Sequence, residues 1–218
     1  MRPFCLPART TPLALCLSLF LGACASPAAG PAGPAGSTGS ALVFADFGQQ
    51  AATSNQGAEP WPLAYAERRG DAWVISQQIE GDALTVRTQV GNARGSQWGG
   101  AGISIAADAS AHPQDLSAYK SLRVRLAATG PRVLRLRLVG QDERIANLGC
   151  YPMALQAVGP EMQSLEIPLS RFQPEAWCGE NMRRVRDTLP QVRSVEVVDM
   201  SIRSEPGQFR LGTIEFLR

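Results

Sequence analysis

Two runs of strict alternation constrain this chain more than any other feature. Across 121–127, Leu122, Val124 and Leu126 alternate with Arg123 and Arg125. Across 133–139, Leu134, Leu136 and Leu138 alternate with Arg135 and Arg137. A period of two is the signature of a strand with one face in a core, because successive side chains leave a strand on opposite sides. A helix would scatter the same leucines around its circumference. The leucine faces are therefore expected inside, and the arginine faces on the open surface of their sheets.

The rest of the chain follows the same rule at lower contrast. Strands are expected at 42–47, 72–76, 83–90, 101–106, 151–158, 163–168, 193–203 and 208–217, separated by turn pairs such as Gly70-Asp71, Gly81-Asp82 and Gly91-Asn92. Residues 49–60 read as a loop ending in Trp61-Pro62, and one short helix is expected over 181–189, with Met182, Val185 and Leu189 on one side. Strands this close together, with no crossover helices between them, exclude a doubly wound α/β fold. They predict an all-β, two-sheet jelly-roll sandwich with at most one short helix.

Several functions are excluded by what the chain lacks. The whole sequence has 21 Lys and Arg against 19 Asp and Glu, and two of the basic residues, Arg2 and Arg9, fall in the first 23 residues, where there is no acid. The remainder is balanced, so nothing points to nucleic acid. The single histidine, His112, precedes Pro113 in a loop-like stretch with no nucleophile beside it, so it reads as a solvated loop residue. The acids Glu143, Glu166, Glu175, Glu180 and Asp187 are scattered, with no motif fixing a glycosidase pair, and no phosphate-binding glycine loop is present. The chain is expected not to be an enzyme.

The N-terminus reads as an address. Arg2 and Arg9 precede a short apolar run, Leu13–Gly22, about ten residues long and too short to span a bilayer. It ends in Leu21-Gly22-Ala23-Cys24, which resembles the bacterial lipoprotein signal. That resemblance implies removal of 1–23, acylation of Cys24 and, with Ala25 following, an outer-membrane destination facing the periplasm or cell surface. Ordinary cleavage after Ala25 is the alternative and would release a soluble periplasmic protein. Residues 24–40 are rich in Pro, Ala and Gly, lack an apolar face, and read as a disordered tether ahead of a domain at 41–218. Of five cysteines, Cys5 and Cys16 lie in the leader and Cys24 takes lipid. Cys150 and Cys178 remain, and two thiols in an oxidising compartment suggest a disulfide.

Four stretches together resemble a known family. Leu42-Val-Phe-Ala-Asp-Phe47, the run Trp98-Gly-Gly-Ala-Gly-Ile with Asp115-Leu-Ser-Ala-Tyr-Lys-Ser-Leu122, Ile167-Pro-Leu-Ser-Arg-Phe172, and Gly207-Gln-Phe-Arg-Leu-Gly-Thr-Ile-Glu-Phe216 resemble family 11 carbohydrate-binding modules. The likeness spans 42–216. It also touches the complex I intermediate-associated protein family, which shares the galactose-binding-like jelly roll. The resemblance implies a sandwich whose concave sheet face holds a poly- or oligosaccharide without cleaving it, on a lipid-anchored module of the cell envelope. The assembly-factor branch implies the alternative, an envelope protein-interaction module with no glycan ligand. The resemblance to these sandwiches further implies a structural calcium ion near the chain ends, for which Asp46 and Glu215 stand at the corresponding strands, although Gly48 stands where those modules often carry an acidic residue.

Sugar recognition needs aromatic rings against C–H faces and planar polar groups at hydroxyls. The candidate ligand-binding residues are Trp98, Arg135, Arg137, Gln141, Tyr151 and Trp177, with Asp142 beside Gln141. Arg135 and Arg137 qualify by pointing away from the leucine face. Tyr151 and Trp177 adjoin the two cysteines, so a disulfide would place them in one neighbourhood. Trp61 and Trp73 are expected in the core.

Overall fold

The computed structural model describes residues 41–48, 59–91, 95–105, 113–203 and 205–218. The leader, Cys24, the tether, His112 and most of the expected 49–60 loop lie outside the described residues. By its internal contacts the chain divides into Met1–Ser37 and Thr38–Arg218, and every described residue belongs to the second.

Among the described residues eleven strands form two antiparallel sheets. They are β1 (Leu42–Ala45), β2 (Trp61–Ala66), β3 (Ala72–Glu80), β4 (Ala83–Val90), β5 (Gln97–Ser104), β6 (Ser121–Ala128), β7 (Arg132–Gly140), β8 (Met153–Val158), β9 (Gln163–Pro168), β10 (Val192–Asp199) and β11 (Gly207–Leu217). One sheet runs β3-β4-β11-β6-β9, with β1 also paired to β11; the other runs β2-β5-β10-β7-β8. The chain crosses repeatedly between the two, and every strand pair is antiparallel. This is the all-β sandwich that the alternation predicts. At the β3–β4 turn, Gly81 adopts φ +63°, which carries no Cβ penalty in glycine.

Both leucine faces are inside. Leu122, Val124 and Leu126 from one sheet meet Leu134, Leu136 and Leu138 from the other, all fully buried, with Phe44, Phe209 and Phe216 closing the core. Each such side chain contributes about 1.5–3 kcal/mol relative to exposure. Asp199 ends β10 on this side. Its carboxylate pairs with buried Arg132 and accepts the Ser201 N–H at 2.8 Å, which stops the strand four residues before the expected Arg203.

Other boundaries also differ from expectation. β2 occupies part of a stretch read as loop, because Pro62 obscured the alternation of Trp61, Leu63 and Tyr65. As an edge strand it tolerates the proline. β5 begins at Gln97, so the Trp98-Gly-Gly run is strand itself. Trp73 is not in the core. It stands on the outer face of edge strand β3, opposite Gln89, and is 47% exposed.

Among the described residues helix is confined to short pieces, but not to one. The expected helix at 181–189 shrinks to α2 (Val185–Thr188), flanked by 3-10 turns at Ala176–Asn181 and Leu189–Gln191. An unexpected helix, α1 (Glu143–Leu148), follows β7. Asp142 caps it by accepting the Ile145 N–H at 3.3 Å, and Gly149 ends it in the left-handed conformation. Ile145 joins Val139, Cys150, Tyr151 and Cys178 in a second small core, within which Cys150 and Cys178 are joined by a disulfide.

Candidate ligand-binding site

The outer face of the five-stranded sheet gathers most of the chain's notable side chains. Its strand register lays them in rows. One row runs Trp61, Gly102, Glu196, Arg137, Met153; the next runs Leu63, Gly100, Val198, Arg135, Leu155. Tyr65 and Trp98 face each other in a third.

The glycines of β5 shape this surface. Trp61 lies over Gly102 so closely that a Cβ there would sit 2.2 Å from the indole Cε2. Gly100 has no room either, since a Cβ would sit 2.1 Å from the Val197 carbonyl oxygen. The Gly-rich run, read from sequence as an entry to a strand, is what lets the Trp61 indole lie against the backbone of β5.

Trp98 is the centre of a three-part stack. Tyr65 lies 5.9 Å from it between ring centroids, at an interplanar angle of 25°, and the Arg135 guanidinium carbon lies 4.8 Å from its ring centroid. In the sheet β2 lies on one side of β5 and β7 on the other, beyond β10, so the two partners approach from opposite sides. Trp98 is thus held between neighbours rather than offered as a free platform. The exposed rings on or beside this face are Tyr65, at 47%, and Trp177, at 66%.

Arg135 and Arg137 point away from the leucine core, as the alternation requires, but they do not lie on an open surface. Both are buried. Arg137 donates from Nε to Glu196 Oε2 at 2.8 Å across the β7–β10 pair. Arg135 is covered by Trp98 and approached by Glu175, its Nη1 lying 3.9 Å from Glu175 Oε1. By contrast, Arg123 and Arg125, on the outer face of the other sheet, are about two-fifths exposed and pair with Glu215 and Asp82. Burial, aided by neighbouring Arg137 and opposed by Glu196 and Glu175, pulls Arg135 down to about 10. It is a full cation at neutral pH.

The remaining candidates separate. Trp177 lies on the segment that leads from Gln173, which bridges Met153 of β8, through Glu175 to the disulfide at Cys178, so it borders this face. Tyr151 does not form a binding rim: it is buried on Gly140. Its hydroxyl accepts the Asp142 N–H at 2.9 Å, and burial foremost raises its pKa. It is a structural post for α1. Gln141 is exposed at the corner between β7 and α1, and the Asp142 carboxylate is spent on capping and on Arg183.

The residues expected to hold calcium do not fit that ion. Glu215 accepts Arg123 Nε at 2.7 Å, and Asp46 Oδ1 accepts the Gly48 N–H at 2.9 Å. Among the described residues no three acidic, cysteine or histidine side chains converge as a metal site. A calcium ion needs six or more oxygens.

The sequence reading missed Trp61, Tyr65 and Glu196 and left Glu175 among scattered acids. For Trp61 and Tyr65 the signal was present as alternation through the proline. For Glu196 and Glu175 it was not, because their significance lies in which arginine each one meets.

The sandwich is similar to that of a family 11 carbohydrate-binding module. The module, from a cellulosomal cellulase of Clostridium thermocellum, superposes with a TM-score of 0.52 over 83% of this chain and 96% of its own, at 12% identity. A Clostridium thermocellum family 11 module in complex with a β-1,3-1,4-mixed-linked tetrasaccharide gives 0.45 over 72% and 88%, at 11% identity. An agarase gives 0.49 at 10% identity, over 81% of this chain and 26% of its own. No protein-family model and no curated protein matches the sequence. At these identities the likeness defines the fold and transfers no residue role.

Proposed function

We propose that this chain is a non-catalytic carbohydrate-binding module whose site is the outer face of the five-stranded sheet. The observation that carries the reading is the Tyr65–Trp98–Arg135 stack, set beside Trp61 and the Arg137–Glu196 pair on one continuous sheet face. Rings held rigidly by their neighbours lose little freedom on binding, and ordered polar groups beside them give orientation. The fold supports the reading, because the similar Clostridium module is a carbohydrate-binding one. Tyr65 and Trp177 supply the free ring faces; Arg137 and Glu196 hold the floor.

Lipid on Cys24, with 24–40 as a tether, would hold the module out from the outer membrane, facing the periplasm or cell surface. Loss of a Cys24→Ala variant from the membrane fraction tests the anchor, and retention there overturns it. For the site, affinity is measured on a panel of polysaccharides and peptidoglycan fragments. The reading expects at least one ligand, lost in Tyr65→Ala and Trp177→Ala variants that still fold. No retention on any member would sink it.

One observation favours a second reading. Val133 and Leu155 are exposed on the β7–β8 side of the same face, at 44% and 49%. Aliphatic exposure beside aromatic anchors suits a protein partner in the envelope, as in the assembly-factor alternative. A co-purifying envelope protein released by Leu155→Asp, with no glycan affinity, would select it.

A further inference from the structure

Among the described residues three arginines are buried, and two of them have an acid within hydrogen-bond distance. Arg132 is paired with Asp199, and Arg137 donates to Glu196 at 2.8 Å. Arg135 is different. Its side chain is 8% exposed, and its Nε and Nη2 are sealed from solvent with no hydrogen-bond partner. The Trp98 ring moderates the charge but offers no acceptor in the guanidinium plane. Glu175, its ion-pair partner among the described residues, stops at 3.9 Å from Nη1, beyond hydrogen-bond length, and keeps 29% of its side chain in solvent, while Glu196 is bonded to Arg137.

A guanidinium this deeply buried normally has its acid. We infer that the site on the outer sheet face takes an acidic saccharide, and that a carboxylate on the sugar ring pairs with Arg135. The inference rests on the carbohydrate-binding reading and names the ligand class. The Nη1 side, where the partly solvated Glu175 stands, is the side a ligand can reach. A carboxylate there accepts a charge-assisted hydrogen bond from Nη1 and supplies the missing counter-charge. A neutral sugar would supply hydroxyl acceptors but leave the charge uncompensated. The apolar faces of Tyr65 and Leu155 lie to either side of Arg135 along the sheet, and can receive the C–H faces of flanking sugar rings. Arg137 is already satisfied, so one carboxylate suffices. In the free protein Glu175 stands loosely in its place, and the ligand displaces it.

The test uses the full chain and calorimetric titration with oligogalacturonate and oligoalginate, each against its carboxyl-reduced, uncharged counterpart of the same length. At least one acidic form is expected to bind roughly 10- to 100-fold tighter than its neutral partner, as for a charge-assisted hydrogen bond. Arg135→Gln is expected to abolish that preference. Glu175→Gln is expected to strengthen acidic binding several-fold while leaving the neutral form unchanged, which a merely structural role for Glu175 would not do. If Arg135→Gln fails to fold, the paired ligands and Glu175→Gln decide the matter without it. Equal binding of acidic and neutral forms, or weaker acidic binding in Glu175→Gln, overturns the inference and leaves the carbohydrate-binding reading standing. Binding of neither form overturns the inference, and the wider glycan panel then decides the reading itself.

Discussion

Gly102→Ala tests whether the site is built as described. The added Cβ would lie 2.2, 2.4 and 2.6 Å from Cε2, Cζ2 and Nε1 of Trp61, more than 1 Å inside ordinary contact. β2 is an edge strand, so the indole can swing outward rather than force the backbone apart. The cost is therefore that of overpacking with relief, about 1–3 kcal/mol. In a Trp61→Ala background the obstacle is gone, and Gly102→Ala should become neutral or stabilising by up to about 1 kcal/mol, since alanine loses less entropy than glycine in a strand. The coupling energy in the four-variant cycle is then about 1–4 kcal/mol. Urea unfolding followed by circular dichroism measures it, and Gly102→Ala alone should also weaken glycan binding by displacing the indole. Gly100→Ala is the contrast. Its obstacle is the Val197 carbonyl, which cannot swing away, so its penalty should persist in the Trp61→Ala background. Additivity of Gly102→Ala and Trp61→Ala within about 0.5 kcal/mol would refute the argument.

Three further outcomes are expected. Asp199→Asn leaves Arg132 buried without its counter-charge and should cost about 3–5 kcal/mol in urea unfolding; a loss below about 1 kcal/mol would show that the pair is not buried as described. Replacing Cys150 and Cys178 with serine opens a loop spanning a separation of 28 residues and should cost about 3–4 kcal/mol by loop-closure entropy, read as a lower unfolding midpoint than the oxidised parent. Burial raises the Tyr151 pKa, so its neutral form favours the fold. That contribution is fully present below the ordinary tyrosine value of about 10 and is lost as pH rises through the raised folded value. A tyrosinate absorbance titration should show one late-titrating group that vanishes in Tyr151→Phe.

The fold was legible because alternation is a local signal that a core enforces. Leu122 to Leu126 and Leu134 to Leu138 are inside because no other side of those strands is apolar. The pattern also fixed which way Arg135 and Arg137 point. It could not fix their burial, because what packs on them comes from elsewhere in the chain: Trp98 from β5 and Glu175 from the disulfide loop at Arg135, and Glu196 from β10 and Gly149 after α1 at Arg137. Tyr151 misled for a related reason. Its place beside Cys150 suggested a rim, yet its hydroxyl is spent on the backbone of Asp142, nine residues earlier. α1 was hidden by its length. Its caps, Asp142 and Gly149, were visible, but six residues are too few for helical periodicity to emerge. β2 was masked by a proline that only an edge strand accommodates.

The four tryptophans divide the molecule for the most direct test of the central claim. Trp61 and Trp98 belong to the outer face of the five-stranded sheet, Trp177 borders it, and Trp73 stands on the outer face of the other sheet. Their indole N–H resonances can be followed by heteronuclear NMR while the tightest ligand of the glycan panel is added. The account predicts that the Trp61 and Trp98 signals shift with saturation and that the Trp73 signal stays in place. Movement of Trp73 without the other two, or no indole movement with any glycan, would contradict it.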